Sequence, residues 1–365
     1  MSFTPADAQF MARALTLARQ GLYTTDPNPR VGCVIVKDNQ IVGEGFHARV
    51  GSPHAEPLAL QQAGANARGA TAYVTLEPCC HHGRTPPCID ALLNAGVARV
   101  VAAMQDPNPK VAGKGFAALQ AKGVATEVGL MQAEAQALNP GFISRMTRGR
   151  PFVRIKLALS LDGRTALASG ESKWISGVPA RADVQKWRAR SSAILTGVGT
   201  VLADDPRLTV RDIDIERAPT RVVADTALRT PPTAQLLRQP GRTLIATASD
   251  DASKISALTT ADAEVVQLPK GKGGIDLAAL LRKLAEYEIS ELLVEAGATL
   301  CGALLRDGLV DELVLYYAPC VLGNDARGVF DLPPLARMGD RLSLNVTDIR
   351  TIGTDWRVTA TVVRP

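Results

Sequence analysis

Aromatic side chains are scarce in this chain, since Phe, Trp and Tyr together make up only 4% of its 365 residues. Little material is therefore present for stacking nucleic-acid bases. A strong excess of one charge is also lacking, because 41 basic residues stand against 36 acidic ones and the difference of +5 is spread along the chain. This composition excludes a nucleic-acid partner on electrostatic grounds, but it is compatible with a small phosphorylated ligand.

Long apolar runs are missing as well, because no stretch approaches the roughly 20 residues that span a bilayer. The N-terminal segment MSFTPADAQFMARAL is amphipathic and lacks a charged region followed by an apolar one. Cysteine is too rare for a disulfide framework, with six in the whole chain. These absences predict a cytoplasmic protein with no membrane partner.

The apolar content of 46% is ample for sizeable cores, and a chain of this length suggests two domains. A helical pattern at 6–21 is followed by a hairpin pattern at 31–46 and then by alternating helix-like and strand-like segments, which predicts a three-layer α/β domain. The segment at 139–151 contains Pro and Gly and is interpreted as a linker. Beyond it, strand-like runs such as FVRIKLALS and ELLVEA alternate with helix-like segments at 179–190 and 276–287, which predicts a second α/β domain.

Histidine and cysteine are concentrated in one part of the chain, because residues 47–88 hold all four histidines and three of the six cysteines. One imidazole and two thiolates, from His54, Cys79 and Cys88, suit a tetrahedral zinc with an open fourth position for water. Glu56 lies two residues after His54 and can carry protons between water and a substrate without binding the metal. The order H-x-E followed by Pro-Cys is typical of zinc-dependent nucleobase deaminases.

The spacing of the two cysteines departs from the short Cys-x-x-Cys form, because eight residues separate Cys79 from Cys88. One alternative is a purely structural zinc with His81 or His82 as fourth ligand, which would leave the glutamate without a purpose. A second is that Cys80 replaces Cys79 as a ligand. The other cysteines are expected to be buried apolar residues: Cys33, Cys301 and Cys320.

The N-terminal motifs resemble the deaminase half of the bifunctional deaminase/reductase family of riboflavin biosynthesis. The segments concerned are DPNPRVGCVIV (26–36), GSPHAEPLAL (51–60), TLEPCCHHGRTPPCIDALL (75–93) and AAMQDPNPKVAGKG (102–115). The eight-residue spacing is the one that this family shows. The resemblance implies that Glu56 is catalytic and that Zn²⁺ is held by the three residues proposed above. It also implies substrate contacts from Asn28, His47, His81 and Arg84.

The C-terminal part of the chain contains no histidine, so its chemistry is expected to depend on a bound cofactor. The segment ELLVEAGATLCGALL (291–305) indicates a strand that leads through Glu295 into a glycine turn and a helix. Such a turn can bring backbone N–H groups to a phosphate, or it can simply pack the helix close to a sheet. This segment and those at 156–176, 194–211 and 310–328 resemble the reductase half of the same family, so the match covers about 10–360.

The resemblance implies a cytidine-deaminase-like three-layer α/β/α domain over 1–146 and a dihydrofolate-reductase-like α/β domain over 150–365 that uses NADPH. Its implied cofactor contacts are Ala158, Trp174, Thr200, Asp204, Thr226, Gly297, Ala298, Thr299, Leu300, Cys301, Gly302 and Ala303. Its implied substrate contacts are Ser172, Arg188, Leu208, Arg211 and Glu295. The serine and the arginines are expected at a phosphate, whose oxygens match a guanidinium group, and Lys156 is expected beside the nicotinamide.

Two reactions follow from the resemblance. The first is hydrolytic deamination of 2,5-diamino-6-ribosylamino-4(3H)-pyrimidinone 5′-phosphate. The second is NADPH-dependent reduction of the ribose of 5-amino-6-(5-phosphoribosylamino)uracil to ribitol. A homo-oligomer is expected from the family alone. The alternatives are a zinc deaminase of another nucleobase with a non-catalytic C-terminal domain, an editing-type deaminase with an RNA-binding domain, and a non-enzymatic protein that zinc braces.

Overall fold

The computed structural model describes residues 3–80 and 86–363. The chain folds as two compact units, Met1–Gly149 and Arg150–Pro365. No helix among the described residues combines the length and the apolar character needed to cross a membrane.

The first unit contains an open sheet with helices on both faces. Its elements in chain order are α1 (Pro5–Ala18), β1 (Gly32–Lys37), β2 (Gln40–Phe46), α2 (Ala55–Ala63), β3 (Thr71–Val74), α3 (Cys88–Asn94), β4 (Arg99–Ala102), α4 (Lys114–Ala121), β5 (Ala125–Val128), α5 (Gln132–Leu138) and α6 (Pro140–Arg148). The strand order is β2-β1-β3-β4-β5. β1 pairs antiparallel with β2 and β3, whereas β3, β4 and β5 run parallel.

The alternation of side chains along β1 shows how the three layers form. Val34 and Val36 pack with α1 and α6 on one face, and Cys33 and Ile35 pack with α2, α3 and α4 on the other. A strand buried on both faces is a continuous apolar run, and this is the pattern of VGCVIV. The predicted three-layer α/β fold and the predicted hairpin of β1 and β2 are confirmed.

The boundary between the two units, after Gly149, falls inside the segment interpreted as a linker, 139–151, but most of that segment is the helix α6 and not an extended connection. Pro140 occupies the first turn, where a missing N–H removes no hydrogen bond. Gly149 ends the helix with a left-handed φ of 62°, which glycine adopts without strain. Phe142 is 8% exposed and belongs to the core that α1 covers. The proline and the glycine that indicate a break are therefore the two ends of a packed helix.

Replacing Phe142 by Ala tests whether α6 is part of the folded core. The substitution should lower the free energy of unfolding by about 3 kcal/mol, because it leaves a cavity between α6 and α1. Chemical denaturation followed by circular dichroism measures this change. The exposed Thr147 on the same helix provides the control, since Thr147→Ala should change stability by no more than about 0.5 kcal/mol. Equal effects of the two substitutions would contradict the expectation.

The second unit is built on a larger sheet. Its elements in chain order are β6 (Phe152–Ser160), β7 (Arg164–Ala166), α7 (Val178–Arg190), β8 (Ala193–Gly197), α8 (Val198–Asp204), β9 (Thr220–Ala224), β10 (Thr243–Thr247), α9 (Ala252–Thr260), β11 (Glu264–Gln267), β12 (Lys270–Gly271), β13 (Gly274–Ile275), α10 (Leu277–Glu286), β14 (Glu291–Val294), α11 (Ala298–Arg306), β15 (Glu312–Ala318), β16 (Arg327–Gly328), β17 (Leu344–Ile352) and β18 (Asp355–Val362).

Nine of these strands form one sheet in the order β11-β10-β9-β8-β14-β6-β15-β18-β17. The strands from β11 to β15 are parallel, and the hairpin of β17 and β18 continues the sheet antiparallel. Helices α10 and α11 cover one face of the sheet, and α7, α8 and α9 cover the other. The apolar runs predicted as strands, together with the helices predicted near 179–190 and 276–287, are confirmed.

Candidate active sites

Three candidate metal ligands meet near the carboxyl end of β3. His54 precedes the first turn of α2, Cys79 follows β3, and Cys88 is the first residue of α3. Nδ1 of His54 lies 3.2 Å from Sγ of Cys88 and 3.6 Å from Sγ of Cys79, and the three donor atoms all lie within 4.8 Å of one another. Tetrahedral zinc with ordinary bond lengths would hold nitrogen and sulfur about 3.6 Å apart. The residues present therefore fit a zinc ion.

The thiol groups of this cluster interact with each other and with the imidazole. The pKa of the Cys79 thiol falls to about 4, because hydrogen bonds from Cys88 and His54 outweigh the effect of burial. The pKa of the Cys88 thiol is raised, because it donates to Cys79 and is buried. A bound cation would favour the thiolate form of both. Sγ of Cys80 instead lies 4.0 Å from the carbonyl of Lys110, outside this cluster.

Glu56 lies in the first turn of α2, two residues after His54, and is only 3% exposed. Its Oε2 has no hydrogen-bond partner among the described residues. Burial, followed by the charge of Cys79, raises the pKa of this carboxyl to about 7. An acceptor buried without a partner is costly unless a ligand completes it. Glu56 is therefore available to a ligand beside the metal cluster.

His47 and Asn28 lie next to the cluster. The rings of His47 and His54 are 5.2 Å apart and meet edge to face. Nδ1 of His47 is 3.2 Å from the carbonyl of Pro53, and its Nε2 is 3.0 Å from Nδ2 of Asn28. Because the carbonyl can only accept, Nδ1 carries the proton and Nε2 accepts from the Asn28 amide. The remaining predicted pocket residues, His81 and Arg84, lie outside the described residues, as does His82.

Glu77, which the sequence motifs do not single out, fixes the segment that runs beside Cys79. Glu77 is 3% exposed, and its two carboxylate oxygens accept hydrogen bonds from four backbone N–H groups: those of Asp106, Gly113, Gly115 and Phe116. Gly115 lies so close that a Cβ there would meet the carbonyl oxygen of Pro78 at 2.3 Å. The sequence feature that could have indicated Glu77 is its position as an acidic residue between a buried strand and a Pro-Cys pair. Nothing nearby in the sequence indicates the backbone N–H groups that it accepts from.

Two of the three cysteines expected to be buried are so. Cys33 and Cys301 are 0% exposed, and burial raises the pKa of each thiol. The expectation is wrong for Cys320, which is only partly buried because it lies just beyond the end of β15.

In the second unit, Glu295 is at the centre of a buried ionic cluster. It follows β14, its side chain is 12% exposed, and it pairs with Arg188 of α7 through two contacts of 2.5 and 3.0 Å. Nζ of Lys156, on β6, lies 3.6 Å from the same carboxylate. The Arg188 guanidinium also donates to the carbonyl of Thr209 at 2.8 Å. Burial alone would raise the pKa of Glu295, but the charges of Arg188 and Lys156 lower it to about 2.

The segment between β7 and α7 carries further predicted contact residues. Trp174 is 71% exposed, and the Arg181 guanidinium stacks on its ring at 4.5 Å. The neighbouring Lys173 pairs with Asp204, the last residue of α8, at 3.3 Å. Ser172 is partly buried in the same segment. This pairing brings two predicted cofactor-contact regions, Trp174 and Asp204, near each other.

The other predicted contacts are spread along one edge of the nine-stranded sheet. Ala158 lies near the carboxyl end of β6, and Thr226 follows β9. Thr200 lies in α8, directly after β8, and Gly297 precedes α11, directly after β14. Two more substrate-contact candidates follow α8, the buried Leu208 and the exposed Arg211. Ligands of open α/β sheets bind outside the carboxyl ends of the strands, so this edge is the candidate cofactor and substrate cleft.

The glycines of 291–305 differ in what surrounds them. A Cβ added to Gly297 would meet no atom within 4 Å. A Cβ on Gly302 would lie 2.2 Å from the carbonyl oxygen of Asp331. Gly302 therefore allows close packing of α11, whereas Gly297 leaves the start of that helix open.

The contribution of the Glu295–Arg188 pair to the free energy of unfolding should depend on pH. Glu295→Gln should lower the free energy of unfolding by about 3 kcal/mol at pH 7, because Arg188 keeps its buried charge without a partner. The carboxylate has a depressed pKa in the folded protein, so its contribution is present above about pH 4.5 and is lost as the pH falls towards about 2.

Chemical denaturation of the wild type and of Glu295→Gln between pH 7 and about pH 2 measures the difference between their free energies of unfolding. The difference should shrink on acidification, and a pH-independent one would contradict the expectation. Glu288→Gln, at an exposed position outside this cluster, is the control.

Family comparisons agree with this geometry. A family described as "Cytidine and deoxycytidylate deaminase zinc-binding region" matches residues 4–104, and one described as "RibD C-terminal domain" matches residues 151–358. Together they define the class: a zinc-dependent deaminase joined in one chain to a reductase.

Full-length relatives identify the family. The riboflavin biosynthesis protein RibD of Escherichia coli K12 is 52% identical over 361 residues, which are 96% of this chain and 97% of that protein. The protein of the same name from Haemophilus influenzae is 49% identical and covers 99% of both. The chain belongs to the RibD family. It is a bifunctional deaminase and reductase of riboflavin biosynthesis whose cofactors are zinc and NADPH.

Solved structures show the same relationship over nearly the whole chain. Acinetobacter baumannii RibD is similar with a TM-score of 0.92 and 46% identity, covering 98% of this chain and 99% of that one. A Thermotoga maritima structure is similar with a TM-score of 0.87 and 34% identity at the same coverage. It is described as a diaminohydroxyphosphoribosylaminopyrimidine deaminase/5-amino-6-(5-phosphoribosylamino)uracil reductase.

Proposed function

We propose that the unit Met1–Gly149 performs the deamination and the unit Arg150–Pro365 the reduction. The substrates are the two phosphorylated pyrimidines that the sequence motifs imply, and the description of the Thermotoga maritima relative supports them. The observation that carries the proposal is the cluster of His54, Cys79 and Cys88 beside the buried, partnerless Oε2 of Glu56.

In the deaminase, His54, Cys79 and Cys88 hold zinc, which when bound lowers the pKa of water towards about 7. Glu56 takes a proton from the attacking water at Oε2. The water oxygen forms a bond to the amine-bearing ring carbon, and the bond from that carbon to nitrogen breaks. Glu56 returns the proton to the departing nitrogen, which leaves as ammonia. Because Glu56 is buried, the proton that it carries is shielded from bulk water.

The neighbouring pair of His47 and Asn28 is proposed to position the pyrimidine. The Pro53 carbonyl fixes the proton of His47 on Nδ1, so the Asn28 amide is oriented by the free Nε2. Within residues 3–80 and 86–363, nothing else bonds the second Asn28 amide hydrogen or its carbonyl oxygen, so both remain for a ligand. Contacts from His81 and Arg84 stay predictions of the sequence.

Glu56→Gln tests the proton-carrying role. The amide cannot take a proton from water, so ammonia release should fall by a factor of about 100 to 10,000. NADPH oxidation on pre-deaminated substrate should be unchanged, and zinc content should stay at the wild-type level because Glu56 is not a ligand. Ammonia assay, absorbance of NADPH and metal analysis measure the three quantities.

The control is Glu134→Gln, at an exposed position in α5. Equal loss of both activities, or loss of neither, would overturn the assignment of Glu56.

In the reductase, residues at the carboxyl edge of β6, β8, β9 and β14 would hold NADPH, which when bound would supply hydride to C1′ of the opened ribose. Ring opening of the ribosylamine leaves a C1′=N double bond, so when hydride adds to C1′ the nitrogen takes up a proton. Lys156 is placed to give that proton, since Glu295 holds its ammonium group at this edge. Three contacts of the Arg188 guanidinium are taken by Glu295 and Thr209. Arg211, which is exposed, and Ser172 are therefore the better candidates for the substrate phosphate.

Arg211→Ala tests the phosphate contact. Loss of a charge-assisted contact to phosphate should raise KM for the deaminated substrate by about 10- to 100-fold. The Kd for NADPH should be unchanged, because the cofactor does not use this side chain. Steady-state kinetics and a fluorescence titration with NADPH measure the two constants.

Arg282→Ala, on the exposed side of α10, is the matched control and should leave KM unchanged. An unchanged KM in the Arg211 variant would remove this residue from the substrate site.

The remaining expectations concern partners and location. We propose a homo-oligomer that acts in the cytoplasm on small phosphorylated pyrimidines and has no nucleic-acid partner. The even distribution of charge and the 4% aromatic content support the last point. Failure to retain RNA at every salt concentration would agree with it, whereas retention that weakens steeply with salt would contradict it.

A further inference from the structure

We propose that Gln185, in α7, is a positioning residue of the reductase. It holds the backbone of residues 208–211 so that the Arg211 guanidinium reaches the substrate phosphate at a set distance from Glu295 in the cleft. The inference rests on the phosphate contact proposed for Arg211 and adds the buried side chain that orients this arginine. Gln185 acts through Arg211 and contacts neither the substrate nor NADPH.

The side chain of Gln185 is buried, and both ends of its amide bond to backbone. It is 4% exposed, although glutamine is mostly a surface residue. Its Oε1 accepts a hydrogen bond from the N–H of Arg211 at 3.0 Å, and its Nε2 donates to the carbonyl of Arg181 at 3.4 Å. A backbone N–H can only donate, so the contact with Arg211 fixes which end of the amide faces it. Because an unpaired polar group in the interior is costly, this amide restrains the backbone that it touches.

The segment 208–211 has a second tie to the same helix. Arg188 lies three residues after Gln185, so the two side chains leave one face of α7. The Arg188 guanidinium donates to the carbonyl of Thr209 at 2.8 Å. Helix α7 therefore donates to one backbone group of the segment and accepts from another two residues later. Two bonds of opposite direction at this spacing keep the segment from sliding along the helix or turning about its own axis.

The second tie also connects the segment with the cleft. The guanidinium that holds Thr209 also pairs with Glu295 through contacts of 2.5 and 3.0 Å. Lys156 lies 3.6 Å from the same carboxylate. Arg188 thus sets the distance between the segment and the reacting end of the site, and Gln185 sets the direction in which residue 211 leaves the segment.

The backbone of this segment is held in an unfavourable conformation. Leu208 has a φ of 52°, in the left-handed region, and its side chain is 4% exposed. This region costs free energy for a residue with a Cβ, and such strain persists where the surroundings determine the backbone. Before Leu208, the Asp205 carboxylate accepts from the N–H of Gln235 at 2.7 Å. After it, the bonds from α7 provide the restraint.

The Arg211 side chain is the part of the segment that is left for a ligand. It is exposed, and within residues 3–80 and 86–363 its guanidinium has no hydrogen bond or ion pair. Arginine loses much conformational freedom when it binds, so a fixed backbone lowers the cost of bringing its planar fork to a phosphate.

The spacing that results has a consequence for substrate choice. The substrate carries its phosphate on C5′ and accepts hydride at C1′. A phosphate-binding group at a set distance from the reacting carbon holds that carbon in place for hydride transfer. Gln185 therefore contributes to the preference for a phosphorylated pentose over the same compound without phosphate.

Gln185→Leu tests the proposal, because leucine removes the acceptor for the Arg211 N–H and stays buried. Steady-state NADPH oxidation by the full zinc-loaded chain is measured with the deaminated substrate and with the same compound lacking its phosphate. KM for the phosphorylated compound should rise about 10-fold with kcat unchanged, since one orienting hydrogen bond is lost. The value of kcat/KM for the compound without phosphate should not change, and neither should the Kd for NADPH.

A conservative variant separates positioning from a general loss of structure. Gln185→Glu keeps an oxygen that accepts from the Arg211 N–H, so it should restore KM for the phosphorylated compound to within about threefold of the wild type. Hydrogen exchange at Arg211 should be faster in Gln185→Leu than in the wild type and in Gln185→Glu. Gln185→Ala takes the place of Gln185→Leu if the latter does not fold, as judged by circular dichroism.

Gln267→Leu is the matched control, because it makes the same change at an exposed position at the end of β11, and it should leave KM unchanged. Equal impairment of Gln185→Leu with both compounds would overturn the proposal, since it would indicate general damage to the site. An unchanged KM in Gln185→Leu, where Arg211→Ala raises it, would overturn the role of Gln185 alone. A wild type without preference for the phosphorylated compound would overturn both the phosphate contact of Arg211 and the inference that rests on it.

Discussion

Parallel strands in one sheet end at a common edge, and both candidate sites lie where chain segments leave such an edge. In the first unit, β3 runs parallel to β4, so Cys79, after β3, lies beside the segment after β4 that Glu77 holds in place. In the second unit, β6 and β14 are parallel neighbours, which brings Lys156 to 3.6 Å from Glu295. The sheet thus places side chains that are distant in sequence next to one another, and the helices on both faces exclude water from the strands beneath them.

The two sites hold charge in different ways, and the difference suits the proposed chemistry. Glu295 is buried but has two cationic neighbours, so it is fixed as a carboxylate and orients what surrounds it. Glu56 is buried with one oxygen left without a partner among the described residues, so its environment does not fix a single protonation state. A residue that carries protons needs an environment like that of Glu56, because it must be stable in both the protonated and the deprotonated form.

Sequence predicts the parts of this protein whose residues are chemically rare or strongly periodic. Histidine and cysteine are few, so their concentration around His54 is visible without a structure, and buried strands appear as apolar runs. The role of Glu77 is invisible, because its partners are backbone groups 29 to 39 positions away. Helix α6 is hidden because its proline and glycine also signal a turn, and the hairpin of β17 and β18 because its exposed strand mixes apolar, polar and charged residues.

Helix α7 connects the edge hairpin of β17 and β18 with the reductase cleft. Asp183 anchors it to Arg357 of the edge hairpin, and five residues later Arg188 anchors it to Glu295 at the reductase cleft. Both anchors are buried ionic contacts on one rigid rod of 13 residues. Because Asp183 and Arg188 belong to the same helix, a displacement of the helix at Asp183 also displaces Arg188. An interaction that stabilises the hairpin of β17 and β18 therefore also stabilises the position of the Arg188 guanidinium, which in turn positions the carboxylate of Glu295.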